Sequence, residues 1–339
     1  MANLLSLPLL PVQVELPPVA APPPRSVRLS LTDRCDLACV YCRPSRRDGY
    51  LDDRLDDAAW RTLIAGLVAR GVRRVRLTGG EPLLYPRVVE MVAYVASLGV
   101  DDLALTTNGT RLAELAGPLR AAGLRRLTLS LDSLDPSRFF RLTRGGRLAE
   151  VLEGFEAARL AGFDELKTNT VVLRDDNDDE LAAIVRFAWA RGAVPRFIEL
   201  MPIAEGARLP ADKLVTVTEM RARLAHLLAP DFARTDPDRG PARYVRAERD
   251  AALRVGFISG ASDTFCAACD RLRVASDGVL RPCLATDVGV SARAAARAGD
   301  AASVGEAVDA AWAVKPDGAT WKGCTEKSAA RVSMRAIGG

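Results

Sequence analysis

The chain has 339 residues and a mass of 36.4 kDa, with 49% hydrophobic and 27% charged residues. That is too apolar for a disordered chain and ordinary for one or two folded domains. A net charge of +4 argues against a nucleic-acid-coating protein, and a single histidine, His226 on a polar helix-like run, removes Ser-His-Asp catalysis and multi-histidine metal sites.

Residues 1–24 read as a flexible, proline-rich leader. No Lys or Arg precedes Arg25, so the charged start of a secretory signal is missing. No apolar run reaches the roughly 18 residues that a membrane span needs. A cytoplasmic protein with no membrane or nucleic-acid partner is expected, and six of the seven cysteines fall into two triplets, which suits metal ligation better than disulfides.

Beyond the leader, short apolar strands are expected at 27–31, 74–77, 103–106, 127–131, 166–173 and 197–201. Their composition suggests strands covered on both faces. Helices are expected at 56–70, 86–98, 111–121, 149–161 and 178–191, with Pro86 in a first turn. Gly99, Gly123, Gly162 and Gly192 follow four of these runs as left-handed caps. Six alternating units over residues 25–210 predict an α/β fold with a parallel sheet, either an open doubly wound sheet or an incomplete (βα)6 TIM-like barrel. After Pro202 the pattern changes. Thr218 is placed to cap a helix, and strands at 253–258, 272–275 and 279–281 surround an Asp277-Gly278 hairpin signal. A last helix at 303–314 completes a smaller α+β C-terminal domain, residues 211–339.

Cys35, Cys39 and Cys42 form a C-x₃-C-x₂-C run directly after the first strand, at the strand edge where βα folds place chemistry. Three thiolates can hold a 4Fe–4S cluster and leave one iron open. A zinc site lacking its fourth ligand and buried free thiols are the alternatives. The second triplet, Cys266, Cys269 and Cys283, spans the predicted hairpin, with a zinc site or a closed cluster using Cys324 as alternatives. Arg271 and Arg273 share one face of the intervening strand, where two guanidiniums suit a phosphate or a purine edge. No G-x-x-x-x-G-K-[ST] loop occurs, so nucleotide binding of the switch-GTPase kind is excluded.

The first triplet, with Tyr41 before its third cysteine, and Thr78-Gly79-Gly80-Glu81-Pro82 after the second strand resemble the radical S-adenosylmethionine superfamily. Both triplets in this order, with Thr106-Thr107-Asn108-Gly109, Ser130-Leu131-Asp132, Arg196-Phe197-Ile198-Glu199 and the terminal Ile337-Gly338-Gly339, narrow it to the GTP 3′,8-cyclase family of molybdenum cofactor biosynthesis. Arg74 and Cys324 stand where many members carry Lys and His.

The resemblance implies a lyase that cyclises GTP with two 4Fe–4S clusters and S-adenosylmethionine. It implies a radical-generating cluster on Cys35, Cys39 and Cys42, and a substrate cluster on Cys266, Cys269 and Cys283. S-adenosylmethionine would meet Tyr41, Gly80, Glu81, Ser130 and Met201. GTP would meet Arg28, Arg76, Thr107, Lys167, Arg271, Leu272 and Arg273. Arg196, Gly338 and Gly339 would assist catalysis. It further implies a flavodoxin- or ferredoxin-type electron donor, a downstream cyclic pyranopterin monophosphate synthase and a homodimer. A paralogue with one auxiliary cluster, acting on another nucleotide or a peptide, is the alternative within the superfamily.

Overall fold

The computed structural model describes residues 24–43, 49–230, 240–262 and 269–316. The leader up to residue 23, Cys266, Cys324, Gly338 and Gly339 lie outside them.

Six parallel strands follow one another in space as in sequence: β1 (Ser26–Ser30), β2 (Arg74–Thr78), β3 (Asp102–Thr107), β4 (Arg126–Ser130), β5 (Glu165–Val172) and β6 (Val194–Glu199). An order with no reversal is that of a barrel wall, whereas a doubly wound sheet reverses at a switch point. The wall does not close on itself. The outer edge of β6 pairs with β8 (Arg254–Ile258), which pairs with β7 (Arg243–Arg246). The outer edge of β1 pairs with β9 (Arg271–Val274), followed by β10 (Val279–Arg281) and β11 (Val290–Ser291). The C-terminal strands therefore extend both rims of one 11-stranded mixed sheet.

The helices are α1 (Asp57–Ala69), α2 (Val88–Ser97), α3 (Leu112–Ala121), α4 (Pro136–Thr143), α5 (Leu148–Ala161), α6 (Leu181–Trp189), α7 (Val217–Arg223), α8 (Arg293–Arg297) and α9 (Ala301–Ala313). Val27, Leu29, Val75, Leu77, Leu103, Leu105, Leu127 and Leu129 point outward into one core with Trp60, Leu63 and Val304. Each such side chain contributes about 1.5–3 kcal/mol by leaving water. Alternate residues, including Arg28, Arg76, Thr106 and Ser130, line the inside. The strands are thus apolar on one face only, because the inside encloses a polar cavity where two-sided burial was expected.

The four expected cap glycines have left-handed φ, from 67° at Gly99 to 102° at Gly123. Three local expectations change. Pro86 precedes the α2 cap residue Arg87, because Pro82–Leu84 forms a separate 3₁₀ turn first. Thr216, reciprocally bonded to Glu219, caps α7 in place of Thr218. The unforeseen α4 starts at Asp135-Pro136, with the Asp135 side chain accepting from Arg138 N.

Candidate active site

The inner face of the sheet surrounds a cavity of about 680 Å³ that reaches the first cysteine loop at the C-terminal ends of the strands. Cys35, Cys39 and Cys42 all line it and are partly buried. Their loop is held from several sides. Ala38 and Val40 donate backbone hydrogen bonds to Thr143 and Leu142 at the end of α4 (3.1 and 3.0 Å). Asp33 accepts from Leu51 N at 2.7 Å and Arg54 Nε at 2.5 Å. Burial and neighbouring negative charge, Glu81 for Cys35 and Asp132 for Cys39, push both thiols well up. Bare thiolates are therefore disfavoured here and need positive charge in their midst.

The Gly79-Gly80 turn lies against the strand-to-loop passage from β1. Gly80 N donates to Thr32 O at 2.6 Å and Glu81 N to Arg34 O at 2.7 Å. A Cβ on Gly79 would overlap the Thr32 carbonyl, and one on Gly80 the Arg34 carbonyl. These glycines let the second strand brace the approach to Cys35. The buried Glu81 carboxylate accepts from Leu83 N at 3.0 Å, Thr107 Oγ1 at 2.6 Å and Asn108 N at 2.7 Å. Burial nevertheless raises it to about 7, outweighing those bonds. Thr107 lines the cavity, but its hydroxyl donates to Glu81 and accepts from Gly109 N.

Deeper in, arginines converge. Arg28 sits level with Arg76 on β2 and Arg273 on β9, and neighbouring strands are about 4.8 Å apart. Arg196 reaches Thr128 Oγ1 at 3.2 Å, and Arg76 reaches Thr106 Oγ1 at 3.2 Å and Thr128 Oγ1 at 3.4 Å. Arg271 enters from the same face of β9. Burial, then repulsion from Arg273, Arg76, Arg271 and Arg196, lowers Arg28 well below the usual arginine value. Burial first, then other arginines, brings Arg76 and Arg273 to about 10. Positive charges gathered on one cavity wall suit an anion of high charge.

Residues 29–188 match the Radical SAM superfamily and residues 194–321 match Molybdenum Cofactor Synthesis C. A GTP 3′,8-cyclase of Pseudomonas putida (strain W619) is 42% identical over 302 residues, covering 86% of this chain and 88% of that one. One from Heliobacterium modesticaldum is 44% identical over 263 residues, covering 76% and 80%. The chain belongs to the GTP 3′,8-cyclase family. Among solved structures, Streptococcus suis SuiB bound to S-adenosylmethionine aligns with a TM-score of 0.59 at 16% identity, over 80% of this chain and 64% of that one. SuiB bound to precursor peptide SuiA gives the same TM-score, with 60% of that chain covered. This chain thus spans less than two thirds of SuiB, and the likeness concerns the radical SAM fold.

Family membership brings S-adenosylmethionine and 4Fe–4S clusters as cofactors. The first cysteine loop fits a cluster by its donor set: three thiols in mutual electrostatic reach, whose ionisation needs a cationic centre. Tyr41, Gly80, Glu81, Ser130 and Met201 line the same cavity. Tyr41 is turned by its hydroxyl, which donates to Asp132 Oδ2 at 2.6 Å.

Two sequence-expected contacts lie elsewhere. Leu272 is fully buried in the outer core, because strand alternation sends it opposite to Arg271 and Arg273. Lys167 is not on the cavity wall. Its ammonium pairs with Glu165 at 2.7 Å and lies 5.7 Å from the Tyr244 ring centre. Conversely, sequence reasoning gave no role to Asp36 or Asp132. Asp36 accepts from Asn108 Nδ2 at 2.7 Å and Thr110 Oγ1 at 2.6 Å, tying the cysteine loop to the end of β3. Asp132 was visible only as part of the Ser130-Leu131-Asp132 run.

At the second site, Cys269 precedes β9 and Cys283 follows β10, and the antiparallel pairing Arg281↔Arg273 brings them to one end of the hairpin. Arg271 and Lys315 outweigh burial and lower the Cys269 thiol to about 7. This is a thiolate-favouring setting that suits an iron ligand.

Proposed function

We propose that this chain cyclises GTP to (8S)-3′,8-cyclo-7,8-dihydroguanosine 5′-triphosphate, the first step of molybdenum cofactor biosynthesis. The observation that carries the reading is one cavity with a braced three-cysteine loop at its mouth and Arg28, Arg76, Arg196, Arg271 and Arg273 along its depth. The thiols suit a radical-generating cluster and the arginines suit a triphosphate.

When bound, the cluster on Cys35, Cys39 and Cys42 and S-adenosylmethionine supply a 5′-deoxyadenosyl radical, an oxidant strong enough to take the H3′ atom of GTP. The chain's own residues do the rest of the positioning. Tyr41, Gly80, Glu81, Ser130 and Met201 shape the S-adenosylmethionine end. Arg28, Arg76, Thr107, Lys167, Arg271 and Arg273 meet GTP, and the arginines suit its triphosphate. Arg196, which donates to Thr128 two strands away on β4, assists catalysis. Cys266, Cys269 and Cys283 carry the second cluster, which grips the purine, and Gly338 and Gly339 assist catalysis. The sheet encloses the reacting atoms and limits side reactions with water.

We further propose a flavodoxin- or ferredoxin-type donor, a homodimer, a cytoplasmic setting and delivery of the product to a cyclic pyranopterin monophosphate synthase. Clustered thiols support a reducing compartment, and among the described residues no helix is long and apolar enough to cross a membrane.

Anaerobic reconstitution followed by incubation with S-adenosylmethionine, reductant and each nucleoside triphosphate tests this. About eight irons per chain and GTP-dependent release of 5′-deoxyadenosine are expected. Equal release with every nucleotide, or with none, would overturn the substrate assignment.

A further inference from the structure

Lys315 is the second residue beyond α9, and its side chain runs back under the β9–β10 hairpin. Its ammonium donates to Pro282 O at 2.7 Å and Arg271 O at 3.0 Å, and lies 3.7 Å from Cys269 Sγ. An ammonium has three N–H donors, so these three acceptors use its full capacity. The Trp312 ring sits 4.6 Å from Nζ and covers the remaining side. Pro282 adjoins Cys283, and Arg271 is two residues past Cys269. One side chain therefore joins the strand entered from Cys269 to the strand that leads into Cys283.

The joint needs an explanation beyond packing. A half-buried lysine normally sends its charge to solvent or to a carboxylate. Among the described residues no carboxylate contacts it, and the negative partners are the two thiols, Cys269 first and Cys283 second. Burying a cation against neutral carbonyls and thiols is costly unless the thiols carry negative charge. As thiolate ligands they do.

We infer that Lys315 is a positioning residue for the second cluster, holding Cys269 and Cys283 at a fixed separation and offsetting the charge of their sulfurs. This rests on the two-cluster reading given above. The role differs from that of the cavity arginines, since Lys315 is not on the cavity wall. It approaches the hairpin from the α9 side and acts on ligands without touching substrate.

The test compares wild type, Lys315→Met and Lys315→Gln after anaerobic reconstitution. The readouts are iron and labile sulfide, EPR of the two reduced clusters, and the rate of iron loss to a chelator. The Cys35 cluster in the same molecule is the internal reference. Lys315→Met should lose iron from the second site at least about five-fold faster than wild type while the first cluster is retained. Lys315→Gln, which can still donate to both carbonyls, should fall between the two. Far-UV circular dichroism separates misfolding from site-specific loss, and if Lys315→Met is misfolded the comparison passes to Lys315→Gln. Variants that hold the second cluster as tightly as wild type, with unchanged EPR, would overturn the inference. A wild type that takes up a single cluster would instead overturn the two-cluster reading, and the inference with it.

Discussion

Arg28 on β1 and Arg76 on β2 share one rung of a parallel strand pair, and both line the same cavity. Parallel registry places equivalent side chains side by side, so the folded state itself pushes two cations together. Arg28→Met keeps the stem and removes the charge. The nucleotide-free protein should gain about 1 kcal/mol, a rise of roughly 2–4 °C in melting temperature. GTP affinity should drop at least about ten-fold, equivalent to about 1.4 kcal/mol. Differential scanning fluorimetry with and without GTP measures both. A variant with lower stability and unchanged GTP binding would contradict the assignment.

Arg271 and Leu272 are neighbours on β9 with opposite duties. Arg271→Ala should weaken GTP binding at least about ten-fold, in line with the loss of a charge-assisted hydrogen bond. Release of 5′-deoxyadenosine without GTP should be unaffected. Leu272→Ala opens a cavity in the outer core and should cost about 2–5 kcal/mol of stability, with a GTP dissociation constant within about two-fold of wild type. Calorimetric titration and denaturant unfolding of the pair separate the two roles.

Gly80→Ala is expected to act on iron. The new methyl group would displace the Arg34 carbonyl, and with it the start of the cysteine loop. Overpacking of this kind costs about 1–3 kcal/mol, and the first site should hold less than about half of its wild-type iron while the second is filled normally. Gly99→Ala is the control. It places a non-glycine residue at φ 67° with no atom near the new methyl group, so it should cost about 1 kcal/mol and leave both sites loaded. Mössbauer spectroscopy of the two variants reports site occupancy directly.

Glu81 predicts a pH dependence. Its carboxyl is raised to about 7 in the folded chain by burial, against an unfolded value near 4.3. A raised carboxyl pKa means that the native state binds the proton more tightly. Its stabilising contribution is therefore complete below about pH 4.3 and is lost as pH climbs through about 7. The contribution is about 4 kcal/mol at most. Unfolding of the cluster-free protein should show this decline, and Glu81→Gln should flatten it. An unchanged slope in Glu81→Gln would show that another group titrates there.

Much of this arrangement was legible in the sequence. Spacing alone marked the cysteine triplets, and βα alternation marked the wall that presents the first of them. The inward polar stripe was harder to see. Val27-Arg28-Leu29 and Val75-Arg76-Leu77 do alternate, but in strands this short the polar member was outweighed by its apolar neighbours. Assigning Leu272 to the substrate treated Arg271 to Arg273 as a unit, although a period of two sends the middle residue away. Thr107 and Lys167 faced a different limit. A sequence does not say that the Thr107 hydroxyl is already donated to Glu81, a partner brought near by strand order, or that the Lys167 ammonium turns back to Glu165 on its own strand. Lys315 is likewise silent in the sequence, because its three acceptors lie 33 to 46 residues earlier in the chain.

The strand order also governs the width of the opening. β8 and β9 are consecutive in sequence, yet one borders β6 and the other borders β1 at the opposite margin of the wall. Each margin of the wall is thus carried by a strand from the C-terminal part of the chain, like the two tips of an open bracelet, so loosening either strand would widen the aperture without altering a single residue of the six-stranded inner wall.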